Sequence, residues 1–327
     1  MNILVSIHSP FVMWNIPAGH VDGLRRQFPQ HTFRHATNDD QALTLIHDAE
    51  VAFSAQVTCE QLEVARLLRW IHSPAAGIGS MLFPEMVERP IVMTNSRGVS
   101  AQTIAEHVLA VTLALFRRLP LAFRRQREHE WAQDEISAAP GNRALAGSRI
   151  LIVGLGAIGS TVAKVMSALG AQVTAIRRTS ASERNPFVGE IATPVRLRAL
   201  LPSADVVVVC APQTRETRGL IGPDELQAMS PHCIIVNVSR GPLIDEDALV
   251  ATLRAGRIGG AALDVFAHEP LPPDSPLWDM PNVLVTPHTS GFRADHWDAA
   301  TTLFVDNLRR FEEGRPLLNV VDKLAGY

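Results

Sequence analysis

Apolar residues along this chain fall in short unbroken runs, separated by stretches where they return every three or four positions. "NILVSI" (2–7) is such a run, bounded by His8, Ser9 and Pro10, and reads as a strand. "EVAFSA" (50–55), "LRWIHS" (68–73) and "PIVMTN" (90–95) read the same way, with helical patterns at 39–49 and 59–67 between them. Alternating strands and helices predict a parallel sheet covered on both faces. This first block ends near Asn95.

The strongest helical pattern is 101–118, "AQTIAEHVLAVTLALFRR", with Ser100 placed to cap it. Apolar residues occupy most of its faces, which predicts burial in the core of its own domain or against another domain or subunit. A second alternating series follows. It has strands at 149–153, 171–176, 205–210, 233–238, 259–263 and 282–285, and helices at 157–169, 195–201, 223–229 and 245–255. Residues 294–313 then read as one long helix. The expected fold is α/β, with two doubly wound parallel-sheet domains. Residues 99–289 form one. Residues 1–98 and 290–327 form the other, so the chain crosses near 98–101 and 288–291. A crevice between two such domains is where a substrate is expected.

Composition narrows the partners. A length of 327 residues suits two cores, and 46% hydrophobic with 19% charged residues suits a soluble globular protein. A net charge of −3 gives no reason to expect nucleic acid or an anionic membrane. No apolar run reaches the roughly 20 residues needed to span a bilayer, and "MNILVSIHSPFVMW" lacks the basic start and cleavage site of a signal peptide. Cys59, Cys210 and Cys233 are far apart and make no metal-binding spacing; they read as thiols of a reducing cytoplasm.

The chemistry starts in "RILIVGLGAIGSTVAKVMSALGAQVTAIRRTS" (149–180). Gly154, Gly156 and Gly159 make a GxGxxG between an apolar strand and a helix that ends at Gly170. Gly154 permits the tight turn, Gly156 a close approach of pyrophosphate, and Gly159 close packing of helix on strand. The helix N-terminus at Ala157 and Ile158 offers free N–H groups and a positive dipole end to phosphate. The acid that accepts ribose hydroxyls in an NAD site lies about 20 residues further on. Here the second strand ends instead in Arg177, Arg178 and Thr179, with no carboxylate before Glu183. Guanidinium forks bind phosphate in a bidentate way, so the expected cofactor is NADP(H), with NAD(H) also accommodated.

Three further residues stand just past predicted strands: Arg240 in "IIVNVSRGPLID", Glu269 in "LDVFAHEPLPP" and His288 in "VLVTPHTSG". Each alone reads equally well as a loop ion pair, a solvated acid or a hinge histidine. Together, on the cofactor side of a dinucleotide domain, they match what reduction of a 2-keto acid requires. His288 supplies a proton near neutral pH. Glu269 holds the imidazolium. Arg240 binds the carboxylate and polarises the keto oxygen.

The order and spacing of "GLGAIGSTVAKVMSALG", "APQTRETRGLIG", "NVSRGPLIDEDALVATL", "ALDVFAHEPLPPDSPLW" and "NVLVTPHTSG" resemble the D-isomer-specific 2-hydroxyacid dehydrogenase family over nearly the whole chain. The resemblance implies a flavodoxin-like substrate domain and a Rossmann cofactor domain. It implies that Arg240, Glu269 and His288 are the catalytic trio and that Asp264 lies on the nicotinamide side of the cofactor. It also implies that "HSPAAGIG" is the loop whose backbone N–H groups bind the substrate carboxylate, here Ala76 and Gly77; many relatives have Asp at the position of Gly79. Members of the family are usually dimers joined through the helix matching 101–118. The paired arginines resemble the NADPH-preferring glyoxylate/hydroxypyruvate reductase branch. The C-terminal regulatory domain of members that make serine precursors is not expected, because the chain stops at Tyr327. Oxidation of a bulkier 2-hydroxy acid or of phosphite is an alternative, the latter weakened by the lack of lysine in "HSPAAGIG". A redox-sensing corepressor is the alternative from another class.

Overall fold

The computed structural model describes residues 1–139, 141–179 and 184–327. The chain forms two units, one from Met1–Val99 with Arg293–Tyr327 and one from Ser100–Phe292.

In the first unit β1 (Asn2–Ser6), β2 (Thr32–Ala36), β3 (Val51–Ser54), β4 (Trp70–Ser73) and β5 (Val92–Asn95) form one parallel sheet in the order β2-β1-β3-β4-β5. This is the flavodoxin-like doubly wound order. Successive residues of the central strands feed opposite faces, as the pleat requires. Ile3, Val5, Val51, Phe53 and Trp70 pack on one side, and Leu4, Ala52 and Ile71 on the other. The C-terminal helix His296–Glu312 closes the first face: Phe304 stacks on Phe53 at 4.4 Å and on Trp70 at 5.4 Å between ring centroids. Among the elements not expected are β2 and the helix Ala18–Gln27. β2, "TFRHA", is an edge strand in which only Phe33 and Ala36 are buried, so its apolar signal is weak. The helix Ala18–Gln27 buries only Val21 and Leu24 and carries Gly19 and Gly23, both poor helix formers.

The second unit holds β6 (Arg149–Val153), β7 (Gln172–Ile176), β8 (Glu190–Ala192), β9 (Val206–Val209), β10 (Ile234–Asn237), β11 (Gly260–Leu263) and β12 (Val283–Val285). All pair in parallel, in the order β12-β11-β10-β9-β6-β7-β8, the Rossmann order with one added strand. Six strands were expected; the seventh, β8, is a three-residue edge strand with only Ala192 buried. The helix predicted over 101–118 ends at Phe116, because Arg118 takes a left-handed conformation (φ 54) and Pro120 opens a new helix, Leu119–Arg127. The helix Ala101–Phe116 packs Ile104, Ala105, Val108, Val111 and Leu115 with Val162, Ala163 and Met166 of the helix Ala157–Ala168. That face is therefore core of its own unit. Among the described residues no helix is long and apolar enough to cross a membrane.

Candidate active site

Strand register in the second unit sets a level edge. Cα pairing puts Ala192, Ile176, Val153, Val209, Asn237, Leu263 and Val285 in one row across the sheet. Every residue singled out in this unit lies just past that row, at the carboxyl ends of the strands, where open α/β sheets bind ligands. β10, β11 and β12 are neighbours and deliver Arg240, the segment from Asp264 to Glu269, and His288. β6 and β7 are neighbours and deliver the glycine turn and Arg177.

The glycine turn is fixed by contact. Gly154 has φ 105, and a Cβ there would lie 2.5 Å from the backbone nitrogen of Ala211; a Cβ on Gly159 would lie 2.0 Å from the carbonyl oxygen of Gly154. Gly156 caps the helix Ala157–Ala168 without any side-chain cap, and a Cβ on it would meet nothing within 4 Å. Gly156 and Ala157 are exposed and Ile158 half-buried, so the start of the helix is accessible, which fits a pyrophosphate and its charge. Arg177 donates its backbone N–H to Ala192 O at 2.9 Å and is half-buried; Arg178 and Thr179 are exposed. Glu183 lies outside the described residues.

His288 and Glu269 meet directly, with Nδ1 2.6 Å from Oε2. The other carboxylate oxygen, Oε1, accepts the backbone N–H of Phe266 at 3.0 Å, so the acid is held from both sides. Burial alone would raise the Glu269 carboxyl. The hydrogen bonds from His288 and Phe266 and the charges of His288 and Arg240 outweigh it and hold the group below its ordinary range. An ionised carboxylate can only accept, so Nδ1 of His288 carries a proton and Nε2 is the atom left for other partners. The two side chains are 45% and 35% exposed, so the pair is open to a ligand.

Arg240 follows β10 in a turn braced by Asn237. The Asn237 amide donates to Arg240 O at 3.1 Å and accepts from Ser239 N at 3.1 Å. Nη1 donates to Ser239 O at 2.6 Å; Nε and Nη2 make no hydrogen bond among the described residues. Burial lowers the guanidinium's pKa, partly offset by the charge of Glu269. Gly241 makes this packing possible, because a Cβ there would sit 1.9 Å from the carbonyl of Phe266. The ends of β10 and β11 thus touch backbone to backbone.

Asp264, expected beside the nicotinamide, is 1% exposed and turned onto the segment that carries His288. Oδ1 accepts from Thr286 Oγ1 at 2.6 Å and from Thr289 N at 2.9 Å, and Oδ2 accepts from Ser290 N at 3.0 Å. His107, from the helix Ala101–Phe116, reaches Thr286 Oγ1 at 3.3 Å through Nε2. Burial lowers the pKa of His107, against the opposing charge of Asp264. Sequence reasoning missed His107, Thr286 and Asn237. The only sign of His107 was a polar residue within a helix otherwise apolar on most faces. Ala76 and Gly77 belong to the first unit, in the exposed loop after β4.

Residues 109–290 match the family described as D-isomer specific 2-hydroxyacid dehydrogenase, NAD binding domain. The chain is 33% identical over 287 residues to a glyoxylate reductase of Thermococcus litoralis, covering 87% of this chain and 84% of the other. It is 32% identical over 272 residues to a D-3-phosphoglycerate dehydrogenase of Archaeoglobus fulgidus, covering 83% of this chain and 50% of the other. The chain thus spans about half the length of the D-3-phosphoglycerate dehydrogenases that it matches. A D-isomer specific 2-hydroxyacid dehydrogenase from Xanthobacter autotrophicus, solved with NADPH and MES, superposes with a TM-score of 0.86 at 30% identity, covering 100% of this chain and 99% of the other.

Proposed function

Because the chain belongs to the D-isomer specific 2-hydroxyacid dehydrogenase family, we propose that it reduces a small 2-keto acid, glyoxylate or hydroxypyruvate, to the D-2-hydroxy acid, with NADPH preferred over NADH. The observation that carries the reading is the His288–Glu269 pair, 2.6 Å apart, with the half-satisfied Arg240 guanidinium in its field. A nicotinamide cofactor, when bound, supplies the hydride. The glycine turn and the uncapped helix at Ala157 and Ile158 hold its pyrophosphate, and Arg177, Arg178 and Thr179 take its 2′-phosphate.

His288 is the acid. With Nδ1 held by Glu269, it gives its proton from Nε2 to the keto oxygen as negative charge develops there. Arg240 binds the substrate carboxylate and polarises the keto group; partial burial leaves its charge poorly hydrated, which strengthens such contacts. Ala76 and Gly77 receive the carboxylate on backbone N–H groups. Asp264 serves the cofactor side through the 286–290 segment that it fixes. The name of the Thermococcus litoralis relative and the NADPH in the Xanthobacter autotrophicus structure support this assignment. Turnover with NADPH and a 2-keto acid, against binding alone, separates an enzyme from a corepressor.

The enzyme acts as a homodimer in the cytoplasm. Phe123 and Trp131, which follow the helix Ala101–Phe116, are 56% and 91% exposed and suit a subunit contact. The three cysteines are unpaired, as a reducing compartment keeps them. The test is a panel of glyoxylate, hydroxypyruvate, its 3-phosphate, pyruvate and bulkier 2-keto acids, each assayed with NADPH and NADH, with mass from light scattering. Highest kcat/KM for glyoxylate or hydroxypyruvate with NADPH is expected; turnover of none of them would reject the reading.

A further inference from the structure

We propose that Asn95 and Ser96 are positioning residues for the substrate carboxylate, acting through the loop 73–77; the proposal rests on the reading of Ala76 and Gly77 given above. Ser73 and Asn95 are paired at the ends of the neighbouring strands β4 and β5. Just past that pair the chain leaving β5 ties down the loop leaving β4. The Asn95 side-chain amide donates to Ala76 O at 2.8 Å. Ser96 donates its backbone N–H to Ala75 O at 3.2 Å and its hydroxyl to Ser73 O at 3.0 Å. Within the loop, Ala75 N donates to Ser73 Oγ at 3.2 Å.

Peptide planarity turns this pinning into aim. In a trans peptide the C=O and the following N–H point in opposite directions. Holding Ala75 O on Ser96 therefore turns the N–H of Ala76 away from β5, and holding Ala76 O on Asn95 turns the N–H of Gly77 the same way. Ala76 and Gly77 are exposed, and among the described residues neither N–H has an acceptor. Two adjacent N–H groups pointing outward from fixed peptides form a receptor for one carboxylate.

The two positioning residues are themselves fixed. Asn95 is 2% exposed, and its Oδ1 accepts from Arg97 N at 3.2 Å, which leaves Nδ2 as the group facing Ala76. Asn319, in the C-terminal stretch of the same unit, clamps this turn. Its Nδ2 donates to Asn95 O at 3.1 Å and Arg97 O at 2.8 Å, and its carbonyl accepts from Asn95 N at 3.2 Å. Ser96 Oγ, which donates to Ser73 O, also lies 3.4 Å from His72 Nε2. Trp70 Nε1 donates to Thr94 Oγ1 at 2.9 Å, and the Thr94 hydroxyl meets His72 Nδ1 at 2.7 Å and Ile71 O at 3.5 Å. His72 is fully buried, and burial pushes its pKa down to about 3, which keeps the ring neutral. A neutral hydrogen-bonded chain from Trp70 to Ser73 thus underlies the loop.

The test compares Asn95→Ala, Ser96→Ala and Ala76→Pro with wild type, using the 2-keto acid reduced best. Asn95→Ala is expected to raise its KM about tenfold, the order of loss that a small misplacement of a binding group causes, while the Kd for NADPH stays within twofold. Should Asn95→Ala not fold, Ser96→Ala, which keeps the Ser96 N–H to Ala75 O, carries the same test with a smaller rise. Ala76→Pro removes one receptor N–H and tests the underlying reading separately. A raised KM in Ala76→Pro with wild-type KM in Asn95→Ala or Ser96→Ala would overturn the positioning role alone. Wild-type KM in all three would overturn the loop reading together with it. Equal losses of NADPH and keto-acid binding would mean general loosening and would also overturn it.

Discussion

Asp264 accepts the backbone N–H of His288 on its own carbonyl at 2.9 Å, while its carboxylate takes the N–H groups of Thr289 and Ser290. The end of β11 thereby holds His288 at φ 54, a backbone region uncommon for residues with a side chain. The acid that a sequence pattern assigns to the cofactor is, in the fold, the anchor of the proposed proton donor.

Asp264→Asn tests that anchor. The amide oxygen can replace Oδ1, but the NH2 then faces the N–H of Ser290, leaving two buried donors opposed. Loss of a buried acceptor costs about 1–3 kcal/mol. A fall in Tm is expected, together with a fall in kcat larger than any change in the Kd for NADPH. Calorimetry and steady-state kinetics on one preparation decide it; an unchanged Tm would show that the segment is held by other contacts.

Arg177 and Arg178 follow the end of β7, whose neighbour β6 leads into the glycine turn. Charge-assisted hydrogen bonds contribute roughly 1.5–3 kcal/mol each, so the double substitution to Ala should raise the KM for NADPH by about tenfold or more and leave that for NADH nearly unchanged. Parallel titrations with both cofactors measure it. Equal effects would place the 2′-phosphate elsewhere.

Much of this was legible in the sequence because buried parallel strands announce themselves. "VVVV" (206–209) and "RILIV" can be little else, and the residues just past such strands are where ligands bind. Arg240, Glu269 and His288 were singled out that way. β2 and β8 were not, since edge strands need few apolar residues and have few. The brace from Asn237 and the anchoring by Asp264 were invisible for another reason. Both are hydrogen bonds to backbone groups, and a sequence does not show which carbonyl or N–H lies within reach of a side chain. The same holds for Asn95, whose partner at Ala76 is distant in sequence and adjacent only because β4 and β5 pair.

At the opposite, amino end of the strands, Asp205 collects Arg143 at 3.0 Å, Arg149 at 3.4 Å and His232 at 2.8 Å, with the backbone N–H of Arg149 at 2.8 Å. Burial would raise its carboxyl, but the bonds from Arg149 and His232 hold it below the ordinary range. A depressed folded-state pKa stabilises the protein above the unfolded-state value of about 3.9, and that contribution is lost as pH falls through the lower, folded value. Asp205→Asn should therefore lower Tm at pH 7 and flatten the fall of Tm below about pH 4. Scanning calorimetry from pH 7 to pH 3 reads both; a variant curve parallel to wild type would remove Asp205 from the acid response.

The pH dependence of turnover probes His288 and Glu269 together. In the proposed mechanism reduction needs a proton on Nε2 of His288, so kcat/KM is expected to fall on the alkaline side as that proton is lost. Glu269 titrates below its ordinary range of about 4.3 and adds no limb near neutrality; it acts as a fixed negative charge against Nδ1. Glu269→Gln keeps the acceptor for Phe266 N and removes that charge. The imidazolium then loses its partner, and the alkaline limb should move to lower pH, the direction that removing a close opposite charge requires. The rate at pH 8 should fall by the corresponding factor, while at a pH below the shifted limb the two enzymes converge. For oxidation the limb moves the same way, so the variant gains relative activity at lower pH. His288→Asn removes the donor and should abolish most turnover with the Kd for NADPH within twofold. A Gln variant with the wild-type profile, beside an inactive His288→Asn, would leave His288 as the acid and reduce Glu269 to a structural contact.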